Sequence, residues 1–200
     1  VLLGPPNSGK STCVKNILIH ADPPFEKMTV IHADPENSTE YEDSDAEVIG
    51  TIPAPSEWKD SDLKQLVVVD DLDVSRLGVT GASALDRLFG YVSTHKNISV
   101  ILCSQDTFNV PASVRRCANL WVLWPMSDLT SVRQCAKKCG NVPLVELFQM
   151  CENPHDSIWI DLTDKSPVKL RKNGFEAINL KDVVGLETVP RRSNSTFSAR

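Results

Sequence analysis

The stretch that most constrains this 200-residue chain is Gly4-Pro5-Pro6-Asn7-Ser8-Gly9-Lys10-Ser11-Thr12, which matches G-x-x-x-x-G-K-[ST]. In front of it, Val1-Leu2-Leu3 read as the end of a buried strand; behind it, Cys13, Val14, Ile17 and Leu18 recur at helical spacing. Strand, loop and helix is the context that the motif requires. Gly4 and Gly9 let the backbone curl so that successive N–H groups form an anion nest, and the following helix adds the positive end of its dipole. In that geometry Lys10 bridges the β- and γ-phosphates of a nucleotide, Ser11 ligates Mg2+, and Thr12 reaches the α-phosphate. A first strand of three residues is short, so further chain is expected upstream of Val1.

Sixty residues on, Gln65-Leu66-Val67-Val68-Val69-Asp70-Asp71-Leu72-Asp73 reads as a central parallel strand that ends in carboxylates. In open α/β sheets that edge is where ligands bind. Asp70 is the expected magnesium carboxylate, acting through water, and Asp71 the expected general base. Ile98 to Cys103 is another buried strand, tipped by Ser104-Gln105-Asp106. Gln105 is the candidate to hydrogen-bond the γ-phosphate or the attacking water.

The remaining chain supplies the other elements. Met28 to His32 reads as a strand, Val48 to Ile52 as a short strand, and Leu120 to Leu123 as a fifth strand. Ser127 to Lys138 and Leu144 to Met150 read as helices. Leu77 to Ser83, with Gly78 and Gly81, reads as a mobile surface loop, followed by a helical stripe of Ala84, Leu85, Leu88, Phe89 and Val92. Asp34 to Glu47 carries seven acids and no base, which is the composition of a surface loop or short exposed helix. Residues 157–162 and 168–171 suggest a closing hairpin. Residues 1–175 are expected to form one domain and 176–200 a polar, partly disordered tail.

Composition narrows the class. With 41% apolar and 24% charged residues the chain is ordinary globular protein, and its apolar runs are too short to span a membrane. The six cysteines show no C-x-x-C pair, and Cys135 and Cys139 read as core rather than as metal ligands; reduced thiols suit an intracellular setting. The net charge of −5 is uneven: the first hundred residues hold 16 acids and 8 bases, the second hundred 10 and 13, a pattern compatible with a partner face or with a plain solvated surface.

Together, GPPNSGKST (4–12), VIHAD (30–34) with Glu40-Tyr41, VVVDDLD (67–73), HKNISVILCSQDTFNVPASVRRCANLWVLW (95–124) and DSIWIDLTDKSPVKLRKN (156–173) resemble the FtsK/HerA superfamily of P-loop ATPases. Within it they look like the genome-packaging ATPases of double-stranded DNA viruses of the poxvirus and nucleocytoplasmic large-virus type. The resemblance implies a RecA-like fold of the additional-strand (ASCE) kind, with a strand between the P-loop strand and the Asp70 strand. It implies ATP and Mg2+ as cofactors and a homo-oligomeric ring. It also implies double-stranded DNA as the translocated partner, capsid or portal-vertex proteins at the docking end, and an intracellular viral assembly site. Many relatives carry Glu where Asp71 stands, one methylene longer. Ring motors complete each site with a neighbour's arginine; Arg76, Arg87, Arg115 and Arg116 are candidates, and Arg87 is favoured. Two other readings share the P-loop: a nucleoside or small-molecule kinase, and an assembly module that binds nucleotide without hydrolysis. A GTPase lacks its N/T-K-x-D base-reading motif here.

Overall fold

Runs of consecutive apolar residues make strands that must be covered on both faces, and such runs set the centre of this fold. The computed structural model describes residues 1–163 and 169–184. Its strands are β1 (Leu2–Leu3), β2 (Lys27–His32), β3 (Glu47–Ile49), β4 (Gln65–Asp70), β5 (Ile98–Ser104), β6 (Leu120–Leu123), β7 (Ile158–Asp161), β8 (Leu170–Lys172) and β9 (Glu176–Ile178). They form one sheet in the order β3-β2-β4-β5-β1-β6-β7-β8-β9. The first six are parallel, and β7, β8 and β9 add to β6 as an antiparallel extension.

Every residue of β4 is buried, and its side chains divide between two layers. Leu66 and Val68 pack with Leu2, Val30, Cys103 and Val122; Val67 and Val69 pack with Leu3, Ile31, Leu102 and Leu123. The first layer is roofed by α1 (Lys10–His20) through Cys13 and Val14. The second is covered by α2 (Gly78–Arg87), a π turn at Leu88–Val92 that runs on into α3 (Ser93–His95), and by α4 (Ala112–Cys117), α5 (Leu129–Lys138), α6 (Leu144–Gln149) and α7 (Leu180–Val184); α3 itself buries no side chain. Full burial of a Leu or Val contributes about 1.5–3 kcal/mol relative to exposure, so these two layers supply the main stabilisation. Asp128 caps α5, its carboxylate accepting from the N–H groups of Thr130 and Ser131 at 3.0 and 2.9 Å.

The topology places β5 between β1 and β4 and leaves the C-terminal ends of all three at one edge of the sheet. That edge carries Gly4, Asp70 and Gln105. Among the described residues, no helix is long and apolar enough to cross a membrane.

Three expectations change. The segment from Leu77 to Ser83 is not a loop: Gly78 opens α2 at φ 63°, and Gly81 lies where an added Cβ would meet the Leu77 side chain at 3.0 Å. Burial of Leu85 and Leu88 overrides the low helix propensity of the two glycines. The short strand after the acidic run spans Glu47–Ile49 rather than Val48 to Ile52. Residues 176–184, assigned to a tail, form β9 and α7, and Ile178 and Val183 join the core. The rest of that tail, 185–200, and the segment joining β7 to β8 at 164–168 lie outside the described residues.

Candidate active site

The chain leaves β1 at Gly4, whose N–H donates to the carbonyl of Ser104 at 3.2 Å. A Cβ on Gly4 would stand 2.7 Å from Cβ of Trp124 and 2.9 Å from Oγ of Ser8, so the close approach requires glycine. Asn7 (φ 59°) and Gly9 (φ 105°) take left-handed conformations that turn the loop into α1. The N–H of Cys13 then donates to the carbonyl of Gly9 at 2.8 Å and begins the helical ladder. The unpaired amides of the first helical turn face the loop's concavity, a site made for an anion.

Two side chains complete the loop. Lys10 reaches back so that Nζ donates to the carbonyls of Gly4 and Pro5, each at 2.8 Å. Burial pulls its pKa below the usual lysine value, opposed by Cys103, Asp70 and Asp71 nearby. The hydroxyl of Ser8 is buried and has no hydrogen-bond partner among the described residues. A buried hydroxyl without a partner, inside a nest of amides, fits a phosphate oxygen.

Asp70 ends β4 and is 7% exposed. Its Oδ1 accepts from the N–H of Asp71 at 3.0 Å, and its Oδ2 from the Tyr41 hydroxyl at 2.6 Å. Ser11 Oγ stands 3.5 Å from the same Oδ2. A hydroxyl and a carboxylate in this relation form the hard-oxygen donor set that suits Mg2+ completed by phosphate and water. Asp71 follows in a left-handed conformation, φ 49°, and lines the same cavity as Asp70. Gln105, at the tip of β5, donates from Nε2 to Oδ1 of Asp71 at 3.1 Å.

One cavity of about 1530 Å³ joins these groups; its lining includes Pro6 to Thr12, Asp70, Asp71, Gln105 and His155. Gly4 and Pro5 lie behind the lining as the loop's support. Arg87 does not line it: it is exposed at the end of α2, while its neighbour Asp86 accepts from the Ser113 hydroxyl. Within its own chain, then, the structure brings together every predicted site residue except Arg87.

Sequence reasoning missed the groups that hold the site in place. Tyr41, from the acidic segment, is 2% exposed and anchors Asp70. Burial, with Asp70 beside it, pushes the phenol far above its ordinary pKa, so it remains a donor. On the other flank, the Trp124 indole donates to the carbonyl of His155 at 3.2 Å, and His155 Nδ1 lies 3.3 Å from the carbonyl of Ser8. Asp156 locks that segment, accepting from the N–H groups of Glu152 and Asn153, from the Asn173 amide and from Lys172 at 2.9–3.1 Å. These donors, the Asn173 amide foremost, hold its carboxyl well below the usual range. Asn173-Gly174 is the sequence signal that could have revealed this flank: both residues have positive φ, and with Phe175 they make the three-residue hairpin connection between β8 and β9.

An α/β domain with a mainly parallel sheet and a glycine-bounded loop at a central strand tip is the class that fold and site define. The solved structures similar to it are more particular. One is the genome packaging NTPase B204 from Sulfolobus turreted icosahedral virus 2 in complex with AMPPCP, at TM-score 0.59 and 13% identity over 86% of this chain and 94% of that one. The same NTPase in complex with ATP-gammaS matches at TM-score 0.59, 13% identity, and 86% and 93% coverage. The DNA-packaging ATPase B204 from Sulfolobus turreted icosahedral virus matches at TM-score 0.62, 12% identity, and 86% and 94% coverage. At these identities the likeness is one of fold. No protein-family model and no curated protein matches the chain.

Proposed function

We propose that this chain is an ATP-hydrolysing motor that moves double-stranded DNA into a viral capsid, working as a homo-oligomeric ring at an intracellular assembly site. The observation that carries the reading is the meeting of the Gly4–Thr12 loop, the Asp70-Asp71 pair and Gln105 at adjoining strand tips. The position of β5 between β1 and β4 supports the additional-strand, RecA-like subclass and the FtsK/HerA affiliation. Proteins of similar fold are named packaging ATPases, and some are solved with nucleotide analogues.

In this reading the loop amides and Ser8 hold the phosphates, and Lys10 exchanges its two carbonyl partners for phosphate oxygens. Ser11 and Asp70 would hold Mg2+, which when bound offsets the negative charge of the triphosphate. Asp71 accepts the proton of the attacking water. Gln105, braced on Asp71 by its amide nitrogen, keeps its amide oxygen to orient that water. Arg87 serves a neighbouring subunit, and DNA contact falls to Lys and Arg side chains meeting phosphates along the channel.

The test is ATP turnover against protein concentration, with and without linear duplex DNA. Turnover that rises steeply with concentration and is stimulated by the duplex supports the motor. Hydrolysis indifferent to DNA removes translocation, and phosphate passed to a nucleoside instead of water makes the chain a kinase.

A further inference from the structure

We propose that Tyr41 is a positioning residue for Asp70, so that the acidic segment from Asp34 to Glu47 is part of the phosphoryl-transfer machinery. The inference deepens the function proposed above and rests on it. The phenol ring packs in the core layer under α1 with Met28, Val30, Leu66 and Cys103. A Phe ring would fill that space as well, so packing alone does not call for a hydroxyl. The hydroxyl lies 2.6 Å from Oδ2 of Asp70, a bond between residues 29 apart in sequence.

The consequence concerns the carboxylate's orientation. Asp70 accepts from the Asp71 N–H on Oδ1 and from the phenol on Oδ2, and donors on different oxygens set the torsion of the group; the Ser11 hydroxyl on Oδ2 and the Cys103 thiol are further donors around it. Oδ2 is also the oxygen that faces Ser11 at 3.5 Å. At 2.6 Å, against 3.0 and 3.5 Å for the Asp71 and Ser11 donors, the Tyr41 bond is the shorter restraint on how the carboxylate is turned towards Ser11, the other residue assigned to the metal. The segment is itself fastened at this point: the Ser44 hydroxyl donates to the Tyr41 carbonyl at 2.7 Å. Groups that orient a metal ligand typically carry about 10–100-fold in metal affinity.

Tyr41→Phe keeps the ring and removes only the donor. Mn2+ binding, read by electron paramagnetic resonance in the presence of a non-hydrolysable ATP analogue, should weaken about 10-fold in this variant. Affinity for the analogue without metal should not change, and turnover should recover at high metal concentration. In an Asp70→Asn background the same substitution should add nothing, because the carboxylate it orients is gone. Wild-type metal binding by Tyr41→Phe overturns the proposal. So does a loss of metal-free analogue binding in step with the metal, which marks a purely structural role. If the wild-type protein holds neither analogue nor Mn2+, the nucleotide reading itself falls, and this inference with it.

Discussion

His155 lies against Ser8 across 147 residues of sequence, its Nδ1 3.3 Å from a carbonyl that can only accept. The imidazole therefore donates, and the phosphate loop is braced from the antiparallel end of the sheet. Replacing His155 by Ala removes one hydrogen bond of about 0.5–1.5 kcal/mol. Nucleotide affinity should fall about 3–10-fold, with kcat less affected; isothermal titration with an ATP analogue beside steady-state kinetics reads the split.

The brace depends on Asp156, and its protonation gives it a pH signature. The native carboxyl titrates below its unfolded value, so the stability it contributes is complete above the ordinary aspartate pKa of about 3.9 and is lost as pH falls through the native value. Lys172 is shifted upwards, mainly by its bond to Asp156, so its contribution is complete below its unfolded value and lost only in alkali. Asp156→Asn should lower Tm by about 3–6 °C near neutrality. The gap from wild type should close in strong acid. Unfolding curves at both pH values check the sign; a gap that widens in acid would falsify it.

Gly4→Ala should destabilise the protein by about 1–3 kcal/mol, the usual consequence of overpacking, because the new methyl group meets the Trp124 and Ser8 side chains. Gly90→Ala is the control, since nothing lies within 4 Å of its added Cβ. Denaturant midpoints of the two variants should separate clearly.

Lys10→Ala should abolish detectable turnover. Asp71→Asn should lower kcat by about 10²–10⁴-fold, the usual span for a general base, while analogue binding persists. Gln105→Ala, which also removes the donor at 3.1 Å from Asp71, should depress kcat without a matching rise in KM. Binding and single-turnover measurements separate these outcomes.

A subunit that carries Arg87→Ala and one that carries Lys10→Ala should each be inactive. Mixed, they should regain turnover, because the second can lend Arg87 to the intact loop of the first. Mixtures no more active than either parent exclude Arg87 as the shared residue.

The parts of the site legible in sequence are those whose chemistry is local. Lys10 and Ser11 are set by the residues beside them, and Asp70 by the apolar run that it ends. Tyr41 was not legible in this sense, because an aromatic among acids reads as exposed until the fold buries it against β4. Gly78 and Gly81 concealed α2, since helix propensity argues against them and only tertiary burial of Leu85 reverses the balance. The β8–β9 hairpin reads in sequence as the start of a tail: Asn173-Gly174 is a turn signal, but the three-residue strands beside it are too short to show an alternating pattern.

Asn173 ties Asp156, and Asp156 sets the segment that presses His155 onto Ser8. A ribosome therefore makes the glycine-bounded loop 147 residues before the histidine that braces it. Until then the emerging polypeptide carries the motif without its support, and the loop's final shape arrives late in synthesis.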